Sequence, residues 1–546
     1  MKNKRILALV SAAALTLTLS ACGGSGSGSN AGGDGAQVVT ANISEPQNPL
    51  IPSATNEVGG GRVLTNINAG LVYYTKDGKT ENELADSIEH NGDFTKFTFK
   101  LKKGLKFSDG SDLKAKNFVD AWNWSANPKN AQTQAPFFEA IKGYTAAPEK
   151  EGAQAPDVPK MDGLKVVDDT TFTAELNGST PDFADRLGYQ AFAPLPDVAY
   201  KDMKAFGQNP VCSGPYKLAE KDGWVHNEKI DLVPNENYDG PRKPKNKGIS
   251  FQVFAQQDAA YQKLLSDEID VIDAIPDSAF ESYQKDLGDR AVNQPAAVFQ
   301  NFTIDVNAPH FGMDEEGRLR RAALSKAIDR EEVTKTIFKS TRTPAKDFTS
   351  PTVDGYNENL PGNDVLKFDA KAAKDLWQKA DAIKKYDGTF ELAYNSDGGH
   401  QAWVDAVCNQ LKNNLGINAQ GKAYPDFKSM RDDVTNHALQ SGFRAGWQAD
   451  YPGVFNFLAP VFKTGAPSND ARYSNKDFDR LVTEGSLQSD KAKANKKYDE
   501  AQGILLKDLP AIPLWYSNVN GGYSTKVTNV EFGWDSFPLY YQIEKK

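Results

Sequence analysis

Apolar residues alternate with polar ones in two short stretches and recur at helical spacing in four longer ones. Residues 97–101 (FTFKL) and 172–176 (FTAEL) show the period of two that is typical of a half-buried strand. Helical periodicity predicts amphipathic helices over residues 113–122, 321–328, 369–377 and 403–415. Strands and helices are mixed without strict alternation and without an internal repeat, so both kinds of element are predicted along the chain.

Polar and glycine residues at the ends of these stretches support three helix boundaries. Asp329 with Glu332 forms a pair like a capping box, which can start a further helix. Asp369 can cap another helix, and Gly416 is suited to end the helix that precedes it. The Pro- and Gly-rich stretch 344–362 is predicted to be a surface loop or a connection between subdomains.

The N-terminus predicts export. Three basic residues within the first five positions precede an apolar run, residues 6–19, which is too short to span a bilayer and suits the core of a signal peptide. Residues 19–22 (LSAC) resemble a bacterial lipobox, so we expect residues 1–21 to be removed and Cys22 to be lipidated. An ordinary secretory signal followed by an incidental cysteine is the alternative.

A flexible tether and an acidic body follow the predicted cleavage site. Residues 22–36 are rich in Gly and Ser, which form a flexible linker. Cleavage takes three basic residues from 63 and no acidic one from 72, so the mature net charge is −12. An acidic chain argues against a nucleic-acid partner. About 510 residues remain after the linker, enough for two or three domains.

Two cysteines remain besides Cys22. An extracytoplasmic compartment permits disulfides, so Cys212 and Cys408 are a possible pair. The alternative is two separate buried thiols, which the apolar helical face around Cys408 favours.

Six segments, taken together and in this order, resemble one protein family. They are TFKLKKGLKFSDGSDLKAKNFVDAW (98–122), NPVCSGPYKL (209–218), RAALSKAIDREEV (321–333), GWQADYPGVFNFLAPVF (446–462), ARYSNKDFDRLV (471–482) and LPAIPLWY (509–516). The chain is similar to the family 5 extracellular solute-binding proteins, the dipeptide- and oligopeptide-binding lipoproteins of ABC importers. Cys212 departs from the family pattern, which usually has Gly there.

The resemblance implies a two-lobed α/β fold of the type II periplasmic-binding-protein class, the large peptide-binding kind, with an extra subdomain in lobe one. Two crossing strands, expected at 298–307 and 512–519, would join the lobes. The implied boundaries are 37–297 for lobe one with its subdomain at about 72–200, 298–515 for lobe two, and 516–546 for the return to lobe one.

The resemblance also implies a ligand contact at Asp450. In peptide-binding relatives, the Asp of this Trp-x-x-Asp-Tyr-Pro block holds the α-ammonium of the ligand, and an ionised carboxylate is an acceptor suited to that role. Trp447 and Tyr451 could form walls around the ammonium group through cation–π contacts. Alternatively, Asp450 caps the turn before Pro452.

Two further contacts follow from the resemblance. Gly59, Gly60 and Gly61 align with a segment whose main chain pairs with an extended peptide, and glycine permits close approach; a flexible loop is the alternative. Trp403 could form a pocket wall, although its helical phase with Val404 favours packing in the core.

The expected function is that of a lipid-anchored, monomeric binding protein on the extracytoplasmic side of the cell membrane. It would capture peptides and deliver them to an ABC transporter permease, without a cofactor or a metal. The five histidines are scattered, and no catalytic motif is present. Alternatives are the same fold carrying an oligosaccharide, nickel or another small solute, and a surface hydrolase or adhesin.

Overall fold

A computed structural model describes residues 37–148, 154–353 and 355–546. The predicted signal peptide (1–21), the predicted lipidation site Cys22 and the predicted linker (22–36) lie outside the described residues. Within the described ranges, no helix combines the length and apolar character needed to cross a membrane.

The described residues form twenty strands, numbered in chain order. They are β1 (Val39–Ile43), β2 (Val72–Tyr74), β3 (Thr80–Asn82), β4 (Ala85–His90), β5 (Lys96–Leu101), β6 (Leu164–Val166), β7 (Thr171–Glu175), β8 (Tyr216–Leu218), β9 (Trp224–Val225), β10 (Lys229–Pro234), β11 (Ile249–Val253), β12 (Val271–Ile272), β13 (Ala291–Ile304), β14 (Arg342–Pro344), β15 (Thr389–Asn395), β16 (Asn418–Tyr424), β17 (Gly442–Gln448), β18 (Ala511–Tyr523), β19 (Val527–Thr528) and β20 (Glu544–Lys545).

The same ranges contain fourteen α-helices. They are α1 (Val58–Ile67), α2 (Ala115–Ala126), α3 (Phe183–Arg186), α4 (Met203–Phe206), α5 (Gln257–Leu265), α6 (Tyr283–Leu287), α7 (Glu315–Lys326), α8 (Arg330–Thr336), α9 (Ala370–Ile383), α10 (Gln401–Leu415), α11 (Phe427–Thr435), α12 (Val454–Phe462), α13 (Lys476–Ser486) and α14 (Lys491–Asp508).

One mixed sheet runs through both lobes, in the order β16-β15-β17-β13-β18-β12-β1-β11-β10-β8. Its centre is the antiparallel pair β13 and β18, which stays in register from Ala291 opposite Gly522 to Thr303 opposite Ala511 apart from two shifts. We refer to the residues between β13 and β18 as lobe two and to those before and after as lobe one. These strands overlap the two predicted crossing segments, while the exact lobe boundaries stay predictions.

The structure is therefore a two-lobed α/β fold, and it has an additional subdomain in lobe one. The subdomain has its own four-stranded sheet, β4-β5-β7-β6, covered by α2. Its core is aromatic, with Phe99, Trp122 and Phe172 in edge or tilted contact at 4.7–6.1 Å. A separate core lies around β1 and β11 in lobe one.

Most local predictions from periodicity are confirmed. The alternating stretches are β5 and β7, and the helical stretches are α2, α7, α9 and α10. Asp369 caps α9 by accepting the Ala372 N–H at 2.9 Å, and Asp329 caps α8 in the same way from Glu332. Gly416 ends α10 with a φ of 74°, a conformation that glycine adopts readily.

The prediction of a surface loop at 344–362 is wrong for its first half. Asp347, Phe348, Thr349 and Ser350 are fully buried. The Asp347 carboxylate accepts hydrogen bonds from the Tyr516 hydroxyl at 2.7 Å and from Thr349, which satisfies the buried charge and ties the loop to β18. The Pro and Gly content indicated irregular backbone correctly, but irregular backbone can be buried where side chains satisfy it.

The possible disulfide is absent, because the two cysteines lie in different lobes. Cys212 is fully buried in the core of lobe one, where its thiol donates to the Pro210 carbonyl at 3.1 Å. Cys408 lies on α10 in the core of lobe two. Both thiols are free, and burial raises the pKa of each to about 12.

We therefore expect two free thiols in the chain from residue 25, which contains every described residue. Alkylation after denaturation without reductant should add two adducts by mass. Native protein should react slowly, because buried thiols with raised pKa values carry little thiolate. A denatured chain that takes up no alkylating reagent would contradict the separation of the two cysteines.

Candidate ligand-binding cleft

A cavity of about 400 Å³ lies between the two lobes. Lobe one lines it mainly with polar residues of β1, α1 and the chain near Tyr189 and Asp535. Lobe two lines it with residues of β13, the 395–398 turn, α11 and the segment from Arg444 to Asp450. Because each lobe supplies one wall, closure of the lobes determines the shape of the cavity.

Strand β17 and the turn after it carry the residues on which the cleft depends most. β17 pairs with β13 from Ile304 opposite Gly442 to Val298 opposite Gln448, so its position is fixed by a central strand. Its end delivers Asp450 to the cleft, with the residue partly exposed.

The Asp450 carboxylate has neutral partners. It accepts a hydrogen bond from the Asn456 amide at 2.8 Å, and the Tyr189 hydroxyl of lobe one is close enough to lower its pKa. No cationic side chain of the described residues forms an ion pair with it, and burial raises its pKa to about 7. Among those residues, no backbone N–H donates to the carboxylate, which argues against the turn-capping alternative.

Trp447 lines the cleft and is fixed by the same amide. Its indole Nε1–H donates to Oδ1 of Asn456 at 3.0 Å, and the backbone N–H of Asp450 donates to that oxygen at 2.7 Å. Sequence reasoning missed Asn456. The available signal was one polar side chain inside the otherwise apolar run of α12.

Tyr451 and Trp403 do not line this cleft, contrary to the predicted contacts. Tyr451 is 2% exposed and points to the opposite side of the turn, with its ring 5.8 Å from the Arg186 guanidinium. Trp403 is buried in lobe two, where it packs edge-on against Trp515 at 5.3 Å and donates to His400 at 3.1 Å. The core-packing alternative for Trp403 is therefore correct.

The three glycines form neither an extended segment nor a loop. Gly59, Gly60 and Gly61 are the first turn of α1, and their N–H groups bind the preceding Glu57: the first two bind its carboxylate and the third its carbonyl. A Cβ on Gly59 would lie 2.7 Å from the Ser44 carbonyl oxygen, so glycine is required for close packing. Gly59 and Gly61 still line the cleft.

Further charged residues of the cleft were not predicted. Arg62 pairs with Asp273, and Arg431 pairs with Asp470 at 2.6 Å. Arg444 differs, because its guanidinium donates to the neutral Asn395 amide oxygen at 2.7 Å.

Burial lowers the pKa of Arg444 to about 10. No carboxylate of the described residues lies within salt-bridge distance of it. Thus Arg444 and Asp450 are charges of opposite sign in one cleft, each held by neutral partners.

Comparison with known proteins shows which family the chain belongs to. Residues 79–469 match the model of the bacterial extracellular solute-binding proteins, family 5 middle region. The oligopeptide-binding protein OppA of Bacillus subtilis is 29% identical over 498 residues, covering 88% of each chain.

Two solved structures share the fold. OppA of Burkholderia pseudomallei gives a TM-score of 0.83 at 21% identity, covering 93% of this chain and 99% of that one. OppA of Haemophilus influenzae, solved in complex with RPPGFSPFR, gives 0.81 at 23% identity with the same coverages.

The raised pKa of Asp450 predicts a pH-dependent cost to the ligand-free fold. Its folded pKa of about 7 exceeds the ordinary value of 3.8, so the folded state binds more protons between those values and stability falls as pH rises through that window. Asp450→Asn should therefore stabilise ligand-free protein at pH 8 by about 1–3 kcal/mol and have little effect at pH 4.

Urea unfolding at pH 8 and pH 4 measures the free energy of unfolding of both proteins. Each protein is first refolded from denaturant so that it is free of ligand. Asp387→Asn is a matched control, because Asp387 is exposed and its replacement should leave stability unchanged. Equal stability of wild type and Asp450→Asn at pH 8 would show that burying this carboxylate costs nothing.

Proposed function

Because the chain belongs to the bacterial extracellular solute-binding proteins of family 5, we propose that it captures peptides between its lobes for an ABC importer. It acts as a binding protein on the extracytoplasmic side of the membrane and has no catalytic role. The observation that carries the proposal is the Asp450 carboxylate, which faces the cleft with neutral partners and forms no ion pair with any described residue.

An α-ammonium group completes the environment of this carboxylate. A buried charge is costly unless an opposite charge or several hydrogen bonds compensate it. A hydrogen bond to a charged group contributes about 1.5–3 kcal/mol, a substantial part of the roughly 8 kcal/mol behind micromolar affinity. The indole of Trp447 lines the same cavity and offers a face to the ammonium or to a side chain.

The positive charge of Arg444 suits the C-terminal carboxylate of a peptide. Arg444 lies six residues before Asp450 along β17 and the following turn, and its guanidinium is available for bidentate binding of a carboxylate. Opposite charges in one cavity favour a zwitterionic ligand over an uncharged sugar. The Haemophilus influenzae relative was solved with a peptide bound, which supports the same ligand class.

The N-terminal sequence supplies the proposed attachment. Cleavage before Cys22 and its lipidation would hold the protein at the outer surface of the cell membrane, and residues 22–36 would let a monomeric body reach the permease. The permease would recognise the closed arrangement of the lobes, which a ligand favours by binding it better than the open one.

Thermal shifts of the chain from residue 25 test the ligand class. We expect a pool of tri- to pentapeptides to raise the melting temperature, and the N-acetylated pool and a set of oligosaccharides to have little effect. Asp450→Asn should lose most of the shift. A shift with oligosaccharides, or an equal shift with free and acetylated peptides, would contradict the proposed ammonium contact.

Binding should also strengthen as pH rises towards neutrality. An ammonium ligand favours ionised Asp450, so binding below pH 7 releases a proton, and affinity should fall about tenfold from pH 7.5 to pH 6. Above pH 8 the peptide amine deprotonates and affinity declines again.

Calorimetric titration across this range measures the profile. Burial also raises the pKa values of Glu57, to about 7, and of Asp535, to about 6, so Asp450→Asn is the control that isolates the contribution of Asp450. A wild-type affinity that stays constant from pH 6 to pH 7.5 would contradict the prediction.

A further inference from the structure

Asn456 is the one residue that contacts both Asp450 and Trp447 through its side chain within the described part of α12. It lies in the first turn of that helix and is completely buried. Its amide makes three hydrogen bonds, all to these two residues: two accepted by Oδ1 and one donated by Nδ2. Because the buried Asn456 side chain forms hydrogen bonds only with residues of the cleft, helix packing alone does not explain why it is polar.

The orientation of the amide is fixed by the chemistry of its partners. The Asp450 backbone N–H and the Trp447 indole N–H can only donate, so both require the amide oxygen. The Asp450 carboxylate can only accept when ionised, so it requires the amide nitrogen. Rotating the amide by 180° would oppose donors with donors and an acceptor with the carboxylate, so one arrangement is strongly preferred.

We propose that Asn456 is a positioning residue for ligand binding, which holds the Asp450 carboxylate and the Trp447 indole in one arrangement that selects a free ammonium group. This inference rests on the proposed function. It extends that function from Asp450, which would bind the ligand, to Asn456, which holds Asp450 in place. Because the amide stabilises the carboxylate without adding charge, the negative charge of Asp450 remains available to the ligand. A lysine or arginine at this position would neutralise the site instead.

Two substitutions of Asn456 distinguish the effect of its hydrogen bonds from the effect of its side-chain size. Asn456→Leu keeps a similar volume and removes all three hydrogen bonds. Asn456→Ser keeps a hydroxyl in a smaller side chain that cannot reach both partners, which guards against failure of the leucine variant to fold. The control is Gln502→Leu, because Gln502 is an equally buried amide of lobe two that holds the backbone of Phe348 outside the cleft.

The measurement is the ratio of affinities for the best-binding peptide of the pool, free and N-acetylated, by calorimetry on the chain from residue 25. We expect Asn456→Leu to weaken free-peptide binding about tenfold to a hundredfold, with a smaller loss for the acetylated peptide, so that the ratio falls. Asn456→Ser should reduce the ratio less. Gln502→Leu should lower the melting temperature while keeping the wild-type ratio.

A second readout distinguishes positioning from general loss of structure. Without the Asn456 donor the carboxylate is harder to ionise, so the midpoint of the pH profile for peptide binding should rise in both Asn456 variants and stay unchanged in Gln502→Leu. Folded Asn456 variants with the wild-type ratio and the wild-type midpoint would overturn the inference. Wild-type protein that does not discriminate free from acetylated peptides would overturn the proposed ammonium contact itself.

Discussion

The paired strands β13 and β18 are the constraint on which the rest of the molecule depends, and their irregularity matters as much as their pairing. The register shifts between Pro295 and Val298, so Ala297 leaves the ladder with β18. Its N–H donates to Trp534 of lobe one at 3.3 Å, and its carbonyl accepts from Ala449 of lobe two at 3.0 Å. A bulge of this kind bends a strand and redirects its backbone groups. The bulge thereby joins both lobes at the residue next to Asp450.

Charged residues of the cleft differ in their partners. Arg431 is paired with the opposite charge of Asp470. Asp450 and Arg444 are instead bound to the amides of Asn456 and Asn395. A neutral amide orients a charged group without cancelling its charge, which supports the proposal that this site binds oppositely charged groups of a ligand.

How much the sequence could predict follows from the range of the interactions involved. Periodicity and caps predicted α9 and α10 because both are local properties. The motif around Asp450 placed that residue at the cleft. Tyr451 was placed there wrongly, because the direction of a side chain in a turn depends on distant residues, and Asn456 was missed for the same reason. For Trp403, the helical phase already favoured the core packing that the structure shows.

In the proposed function, Asp450 links ligand binding to closure of the lobes. Asn456, which donates to the carboxylate, comes from lobe two, and Tyr189, which lines the same cavity, comes from lobe one, so the carboxylate is enclosed where the lobes meet. Enclosure takes water from the carboxylate, and this loss is the main reason why its pKa is raised to about 7. Enclosing the ionised carboxylate without a ligand therefore carries a cost that grows with pH, and the proposed ammonium group would remove it. Under this proposal, one buried charge contributes to the affinity of the closed form and makes that form depend on a ligand.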